Sequence, residues 1–226
     1  MKGHTETEGK TVNKDFTLNT ARLTARPSGA LWWQEHRLLC VSDLHLGKSE
    51  RAARRGGALL PPYDSRETLS RLSAEVALTQ PDTVICLGDS FDDLTAAAAL
   101  TSEITEGLNT LMAGRKWIWI EGNHDPGPIE MGGKHLAEWA QGPLTFRHIA
   151  APKAQGEVSG HYHPKAAVAG RYRPAFLRDE ARVILPAFGA YTGGLRAGDT
   201  ALSGLMQARA TALLTGKRIV ECPLTP

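Results

Sequence analysis

The chain's 226 residues are enough to bury a sizeable core in one α/β domain without disulfide or metal staples. Lys and Arg number 26 against 24 Asp and Glu, a net charge of +2, so the overall balance advertises neither nucleic acid nor membrane and local clusters must carry any such argument. No apolar run is long enough to span a bilayer and no hydrophobic leader opens the chain. Cys40, Cys86 and Cys222 lie far apart in apolar runs, as free thiols in a reducing compartment do. These features predict a soluble cytoplasmic protein with no membrane contact.

Residues 1–15 carry almost no apolar side chains and read as a disordered tail, leaving 16–226 as a single domain. Between Phe16 and Cys40, alternating runs at 18–25 and 30–34 flank Pro27-Ser28-Gly29, a turn sequence, and predict an antiparallel hairpin leading into the first buried strand. That strand begins at Leu38 and meets Asp43-Leu44-His45-Leu46-Gly47-Lys48. If the extended conformation persists, alternation sends Asp43 and His45 to one side, where a carboxylate oxygen and an imidazole nitrogen can share a metal ion. Such a pair suits manganese, iron or zinc better than calcium. The stretch 48–55 is basic, Gly56-Gly57 breaks it, and the prolines of 59–64 are incompatible with a helix or central strand, so the segment is expected to be a loop over the site. Ser65 is placed to cap a helix carrying Leu69, Leu72 and Val76 at helical spacing up to Gln80.

Two short apolar strands, 83–87 and 116–120, end in Gly88-Asp89-Ser90-Phe91-Asp92-Asp93 and Glu121-Gly122-Asn123-His124-Asp125, with an alanine-rich helix predicted over 94–112 and Gly114 as its C-cap. Successive strand, loop and helix units thus place ligand-type residues at the carboxyl edges of strands, where open α/β sheets bind ligands. A short helix is predicted over 133–141, then a strand over 144–149 carrying His148, and a strand at 157–159 running into Gly160-His161-Tyr162-His163-Pro164. Strand or turn spacing continues at 166–169, 173–177 and 183–186, followed by a helix-like stretch over 199–214 and a last strand over 218–223. There is no internal repeat.

Any one of these clusters also reads as an ordinary turn or a solvated edge. Together, Asp43, His45, Asp89, Asn123, His148, His161 and His163 supply donors for two divalent ions, with a carboxylate at the central position able to bridge them. Two such ions hold a hydroxide and clamp both oxygens of an in-line displacement at phosphorus. The donors alone leave manganese, iron and zinc open.

In this order, Asp43-x-His45, Gly88-Asp89-x-x-Asp92, Gly122-Asn123-His124-Asp125, the later strand histidine His148 and Gly160-His161-x-His163 resemble the five motifs of the calcineurin-like metallophosphoesterases. The resemblance implies a four-layer α/β/β/α sandwich of two mixed sheets and a phosphoesterase with two divalent metal ions, manganese first. Position by position, it implies Asp43, His45 and His163 on one ion, Asn123, His148 and His161 on the other, and Asp89 between them. It implies His124 as a non-ligand acid at the leaving oxygen, and Asp92 as the carboxylate that orients it. The chain departs from the pattern at His148, where Ile149 stands in place of the family's usual glycine.

The stretches between motifs, notably Leu60-Pro61-Pro62-Tyr63-Asp64, Leu87-Gly88-Asp89-Ser90-Phe91-Asp92-Asp93 and 185–194, are similar to the bacterial ligase-associated DNA-damage-response endonucleases, the PdeM group. That similarity implies DNA as substrate, a role in DNA repair, and functional association with an ATP-dependent DNA ligase, an exonuclease and a large helicase-related protein.

Lys48, Arg54 and Arg55, with Arg51 among them, follow the first ligand pair and are candidates for holding substrate phosphates, although the same charges also read as a solvated face. Tyr63, Phe188 and Tyr191 could stack on a base, which keeps single-stranded DNA open as the substrate. Endonucleolytic hydrolysis of DNA is the leading expectation. A small nucleotide, cyclic or a pyrophosphate, is the alternative substrate. A scaffold that only binds is disfavoured because every expected ligand position is occupied.

Overall fold

Alternating apolar side chains along the central strands face two different cores, and this sets the layers. The computed structural model describes residues 13–54, 56, 63–127 and 131–224. The first sheet is built from β1 (Lys14–Leu18), β2 (Ala21–Ala25), β3 (Leu31–Trp33), β4 (Leu38–Val41), β5 (Thr83–Leu87), β6 (Lys116–Ile120) and β7 (Lys134–Leu136), in that spatial order. Pairing is antiparallel from β1 to β4 and parallel from β4 to β7. Helices α1 (Lys48–Arg54) and α2 (Asp64–Thr79) separate β4 from β5, and α3 (Leu94–Ala98) and α4 (Ser102–Met112) separate β5 from β6.

The second sheet comprises β8 (Glu138–Gln141), β9 (Leu144–Arg147), β10 (Glu157–Ser159), β11 (Lys165–Val168), β12 (Arg171–Arg178), β13 (Arg182–Ile184), β14 (Thr211–Leu214) and β15 (Val220–Pro223), with α5 (Thr200–Ser203) before β14. Its order is β15-β14-β12-β13-β10-β9-β8, with β11 hairpinned onto β12. It is mixed as well, since β10 runs parallel to both β9 and β13.

Cys40, Ile85, Leu87, Ile118 and Ile120 join Phe146, Val158, Phe176 and Val183 in the core between the sheets. Their neighbours Leu39, Val41, Val84, Cys86, Trp117 and Trp119 pack with Leu72 and Val76 of α2 and Ile104 and Leu108 of α4. Each such aliphatic side chain contributes about 1.5–3 kcal/mol by leaving water. On the far side, Leu202 of α5 lies with Ala175, Leu177, Ala212 and Leu214, so the fourth layer of the sandwich is reduced to one helical turn and its loops. Among the described residues no helix is long and apolar enough to cross a membrane.

Several elements differ from the sequence expectations. Strand β1 begins at Lys14, inside the expected tail, and the run 18–25 contains a turn at Asn19-Thr20, both residues having positive φ. Residues 1–12 lie outside the described residues, as does 57–62 of the expected loop. Residues 48–54 of that expected loop form α1, whose Ser49 donates from N and Oγ to the Asp64 carboxylate at 3.1 and 2.8 Å. Ser65 lies inside α2 and caps nothing there, because its Oγ accepts from Gly47 N. The helix expected over 94–112 is interrupted by the extended residue Thr101, beyond which Ile104, Leu108 and Leu111 meet the sheet. The helix expected over 133–141 is replaced by β7 and β8, and the last four residues of 199–214 are β14. In these segments pairing with β6, β9, β12 and β15 outweighs weak local helix propensity.

Candidate metal centre

The loops after β4, β5, β6, β9 and β10 converge at one edge of the two sheets. Extended alternation is not what brings Asp43 and His45 together, because β4 ends at Val41 and both residues are left-handed, at φ 53° and 46°. Asp89, His161 and His163 share that conformation, at φ 45°, 72° and 47°. Such backbones cost roughly 1–3 kcal/mol each and persist where the surroundings dictate them. Here His45 N and Leu46 N donate to Asp89 O and Ser90 O, both at 2.9 Å, and Asp92 N donates back to Leu46 O at 2.9 Å. The first two motifs therefore hold each other in shape. Two motif glycines are demanded by close approach, since a Cβ on Gly88 would stand 2.5 Å from the His148 ring and one on Gly160 would stand 1.7 Å from Ser42 Oγ.

Two donor sets result. The ligand atoms of Asp43, His45 and His163 lie within 4.8 Å of one another, as do those of Asp89, His148 and His161. Asp43 links the sets: one carboxylate oxygen accepts from His161 N at 3.0 Å, and the other lies 3.1 Å from His163 Nε2 and 3.9 Å from His148 Nδ1. Asn123 Oδ1 lies 2.9 Å from His148 Nε2, which places Asn123 beside the second set.

The hydrogen bonds fix which nitrogen each ring presents. His148 Nδ1 donates to Leu87 O at 2.8 Å, so its Nε2 turns a lone pair toward Asn123 Oδ1, Asp89 Oδ2 at 3.4 Å and His161 Nδ1 at 3.2 Å. His45 Nδ1 donates to Asp92 Oδ1 at 3.0 Å, leaving Nε2 facing His163 Nε2 at 3.3 Å. Lone pairs gathered this closely need a cation or protons between them. Asp43 Oδ1 is buried without a hydrogen bond, as an oxygen reserved for a metal ion is. The nitrogen and oxygen donors therefore fit divalent transition metals.

The carboxyls are poised as anions. Burial works against the Asp89 charge, but His148 and the main-chain N–H of His124 outweigh it and hold the carboxyl down at about 2. Asp43 is likewise buried yet held below its ordinary value by His163, His148 and Ser42. Burial, the largest influence on His161, lowers it and favours the neutral ring that a ligand must present.

His124 belongs to neither of these sets, although a ligand atom of its ring lies within 4.8 Å of donors on His45 and Asp92, which form a third group with it. Its N donates to Asp89 Oδ1 at 2.8 Å and its Nδ1 donates to the main-chain carbonyl of Asp92 at 2.8 Å. The expected carboxylate contact from Asp92 to His124 is replaced by this main-chain one, because the Asp92 carboxylate is taken by His45 and by Arg51 Nη1 at 3.0 Å.

Of the residues expected to hold phosphates, Arg54 is committed elsewhere. It donates to the Glu50 carboxylate at 3.0 and 3.3 Å and to the Asp93 carboxylate at 2.9 and 3.0 Å. Two carboxylates offset its charge, which weighs against the expected role on substrate phosphates. Among the described residues, Lys48 Nζ donates to Tyr191 O at 2.9 Å. Arg55 lies outside the described residues. Phe188 is buried under the Arg71 guanidinium and belongs to the core, whereas Tyr63 and Tyr191 are exposed.

Two residues have contacts in the site that the sequence did not point to. Arg51 reaches from α1 to Asp92 and lies 3.3 Å from His124 Nδ1, and its place in the basic run was the only signal. Asp125 is buried, and its carboxylate accepts from the main-chain N–H of Asp89, Gly122, Ser90 and Phe91 at 3.0, 2.9, 2.8 and 3.2 Å. It joins the second motif to the third, and its signal was its position directly after His124.

The comparisons with known proteins agree with this geometry. A search of curated protein sequences finds no match. Among solved structures, the Pseudomonas putida nuclease MPE is similar at a TM-score of 0.74 with 27% identity, over 94% of this chain and 100% of that one. The family model described as calcineurin-like phosphoesterase matches residues 36–180, a span that runs from the turn before β4 to the end of β12 and holds every donor above. Well over half of the sequence thus carries the family's pattern, and the chain belongs to the calcineurin-like phosphoesterases, which are metal-dependent hydrolases of phosphate esters.

Proposed function

We propose that this protein is a DNA endonuclease that hydrolyses phosphodiester bonds with two divalent ions, manganese foremost, with iron or zinc as alternatives. The observation that carries the reading is the pair of adjoining donor sets, Asp43 with His45 and His163 and Asp89 with His148 and His161, with His124 at their border. The similarity to a nuclease over nearly the whole chain supports a nucleic-acid substrate. When bound, the ions would supply an acidified water and a clamp on both oxygens of an in-line displacement.

The chain's own residues do the rest. Asp43, His45 and His163 would hold one ion and Asn123, His148 and His161 the other, with Asp89 shared. His45 and His148 are locked by Asp92 and Leu87 with Nε2 forward. With Nδ1–H of His124 committed to the Asp92 carbonyl, its Nε2 is the atom that can carry a proton to the leaving oxygen. The Arg51 guanidinium adds positive charge beside it. Lys48 is the remaining described candidate for a flanking phosphate. The reading extends to a cytoplasmic role in DNA repair alongside an ATP-dependent DNA ligase, an exonuclease and a large helicase-related protein, supported by the similarity of the inter-motif stretches.

Circular single-stranded DNA is the decisive substrate, because a circle offers no end to an exonuclease. Protein loaded with manganese should linearise it. Turnover of a small diester or cyclic nucleotide with the circle left intact would move the assignment to a small nucleotide substrate.

A further inference from the structure

A groove of about 710 Å³ lies outside the metal centre, between β11, the segment 194–199 and the C-terminal strand β15. It starts two residues beyond the donor His163. The 195–197 segment is stitched to the start of β11, with Lys165 N donating to Leu195 O and Ala197 N to Lys165 O, both at 2.8 Å. Lys165 and Arg196 are thereby set side by side. Neither is steered by a carboxylate in the contacts that hold it: Lys165 Nζ reaches Thr192 O at 3.4 Å, and the Arg196 guanidinium lies 4.8 Å from the centre of the Tyr172 ring. Tyr172 is 50% exposed. Among the described residues lining the groove the one acid is Asp199, whose Oδ1 accepts from the N–H of Ala201 at 3.0 Å.

Lys48 contacts Tyr191 O, Lys165 contacts Thr192 O, and Arg196 follows along the same loop, so three cations are gathered about residues 191–196. Tyr172 pairs with Ala167, four residues past His163. Along β11 the rise from Lys165 to Ala167 is ~7 Å at ~3.3 Å per residue, room for about two stacked nucleotides at ~3.4 Å each.

We infer that this groove carries the single strand flanking the scissile phosphate, with Lys165 and Arg196 meeting its phosphates and the exposed Tyr172 ring receiving a base; the inference rests on the nuclease reading above. A planar phenol face accepts any base, and the two cations match the strand's charge.

The test compares the full-length protein with a Lys165→Ala, Arg196→Ala, Tyr172→Ala variant and with Arg196→Glu alone. The probes are fluorescent oligothymidylates of two and twelve nucleotides and a small chromogenic diester. Metal content and circular dichroism check that each variant is intact. The triple variant should bind the twelve-mer ~10-fold more weakly or worse, the scale of one lost stacking contact and its phosphates. Its log-log salt slope should flatten by ~0.7 for each lost phosphate contact. Dinucleotide binding and small-diester turnover should stay at the wild-type level. Equal twelve-mer affinity and salt slope in wild type and variants would overturn the groove, as would a wild-type protein that binds no strand. So would an equal fall in small-diester turnover, which would make these residues supports of the metal centre. The two readings separate cleanly: groove-dependent binding without cleavage sinks the nuclease and leaves the groove, whereas cleavage untouched by the variants does the reverse.

Discussion

Asp125→Asn changes one atom of a buried side chain that is in none of the donor sets, and it should still damage the metal centre. In the native protein Oδ1 accepts from the N–H groups of Asp89 and Gly122, and Oδ2 from those of Ser90 and Phe91. An amide keeps one of these acceptors and turns the other into an NH₂ donor. Whichever way it sits, two main-chain N–H groups lose their partner and face another donor. A buried donor left unsatisfied costs about 1–3 kcal/mol, so the substitution should cost ~2–4 kcal/mol after local relaxation. At this chain length ~1 kcal/mol lowers Tm by ~2–4 °C, which places the expected drop at ~5–15 °C. The loosened backbone includes Asp89, held at φ 45°. Metal affinity should therefore fall too, though no ligand has been removed. Thermal unfolding of metal-free protein and calorimetric titration with manganese read the two effects. An Asp125→Asn protein with wild-type Tm and wild-type affinity would refute the reasoning, and Asp125→Glu is the companion that keeps the charge and disturbs only the fit.

Asp89→Asn should lower metal occupancy and nearly abolish turnover, whereas His124→Ala should keep metal and cut turnover by ~10²- to 10⁴-fold; equal metal loss in both variants would show the roles to be misassigned. Arg54→Ala should leave DNA affinity and cleavage unchanged because Glu50 and Asp93 already occupy the guanidinium, and a steep loss of DNA binding would restore it as a phosphate partner. Asp43, Asp89 and Asp92 are all held below the ordinary carboxyl range despite burial, Asp89 at about 2. A depressed carboxyl lends stability above its unfolded value of ~3.9 and loses it as pH falls through the folded one. Metal-stripped protein should thus lose Tm between about pH 4 and pH 2, and a flat profile there would contradict the anionic centre. Gly88→Ala should lower metal content by driving a Cβ into the His148 ring, and unaltered occupancy would mean that the loop can yield.

Much of this protein is set by local pattern. The central strands 83–87 and 116–120 were readable to the residue because short apolar runs bounded by turn residues leave little else to form. The donor residues were readable because each stands at the end of such a run. What only the tertiary structure decided lies where local preference is weak or where partners are distant in sequence. Residues 134–141 became strands because β6 and β9 offered free edges to pair with, which no local window contains. Asp43 and His45 meet through left-handed backbones imposed by the loop after β5, not through alternation along β4. The same holds for charge: in sequence Arg54 is one more cation of a basic run, and only the fold reveals that Asp93, brought in from the second motif, has already taken it. Hydrogen bonds and ion pairs between residues about 40 positions apart depend on the packed layers that bring them together, and this is why the composition of the site was legible while its wiring was not.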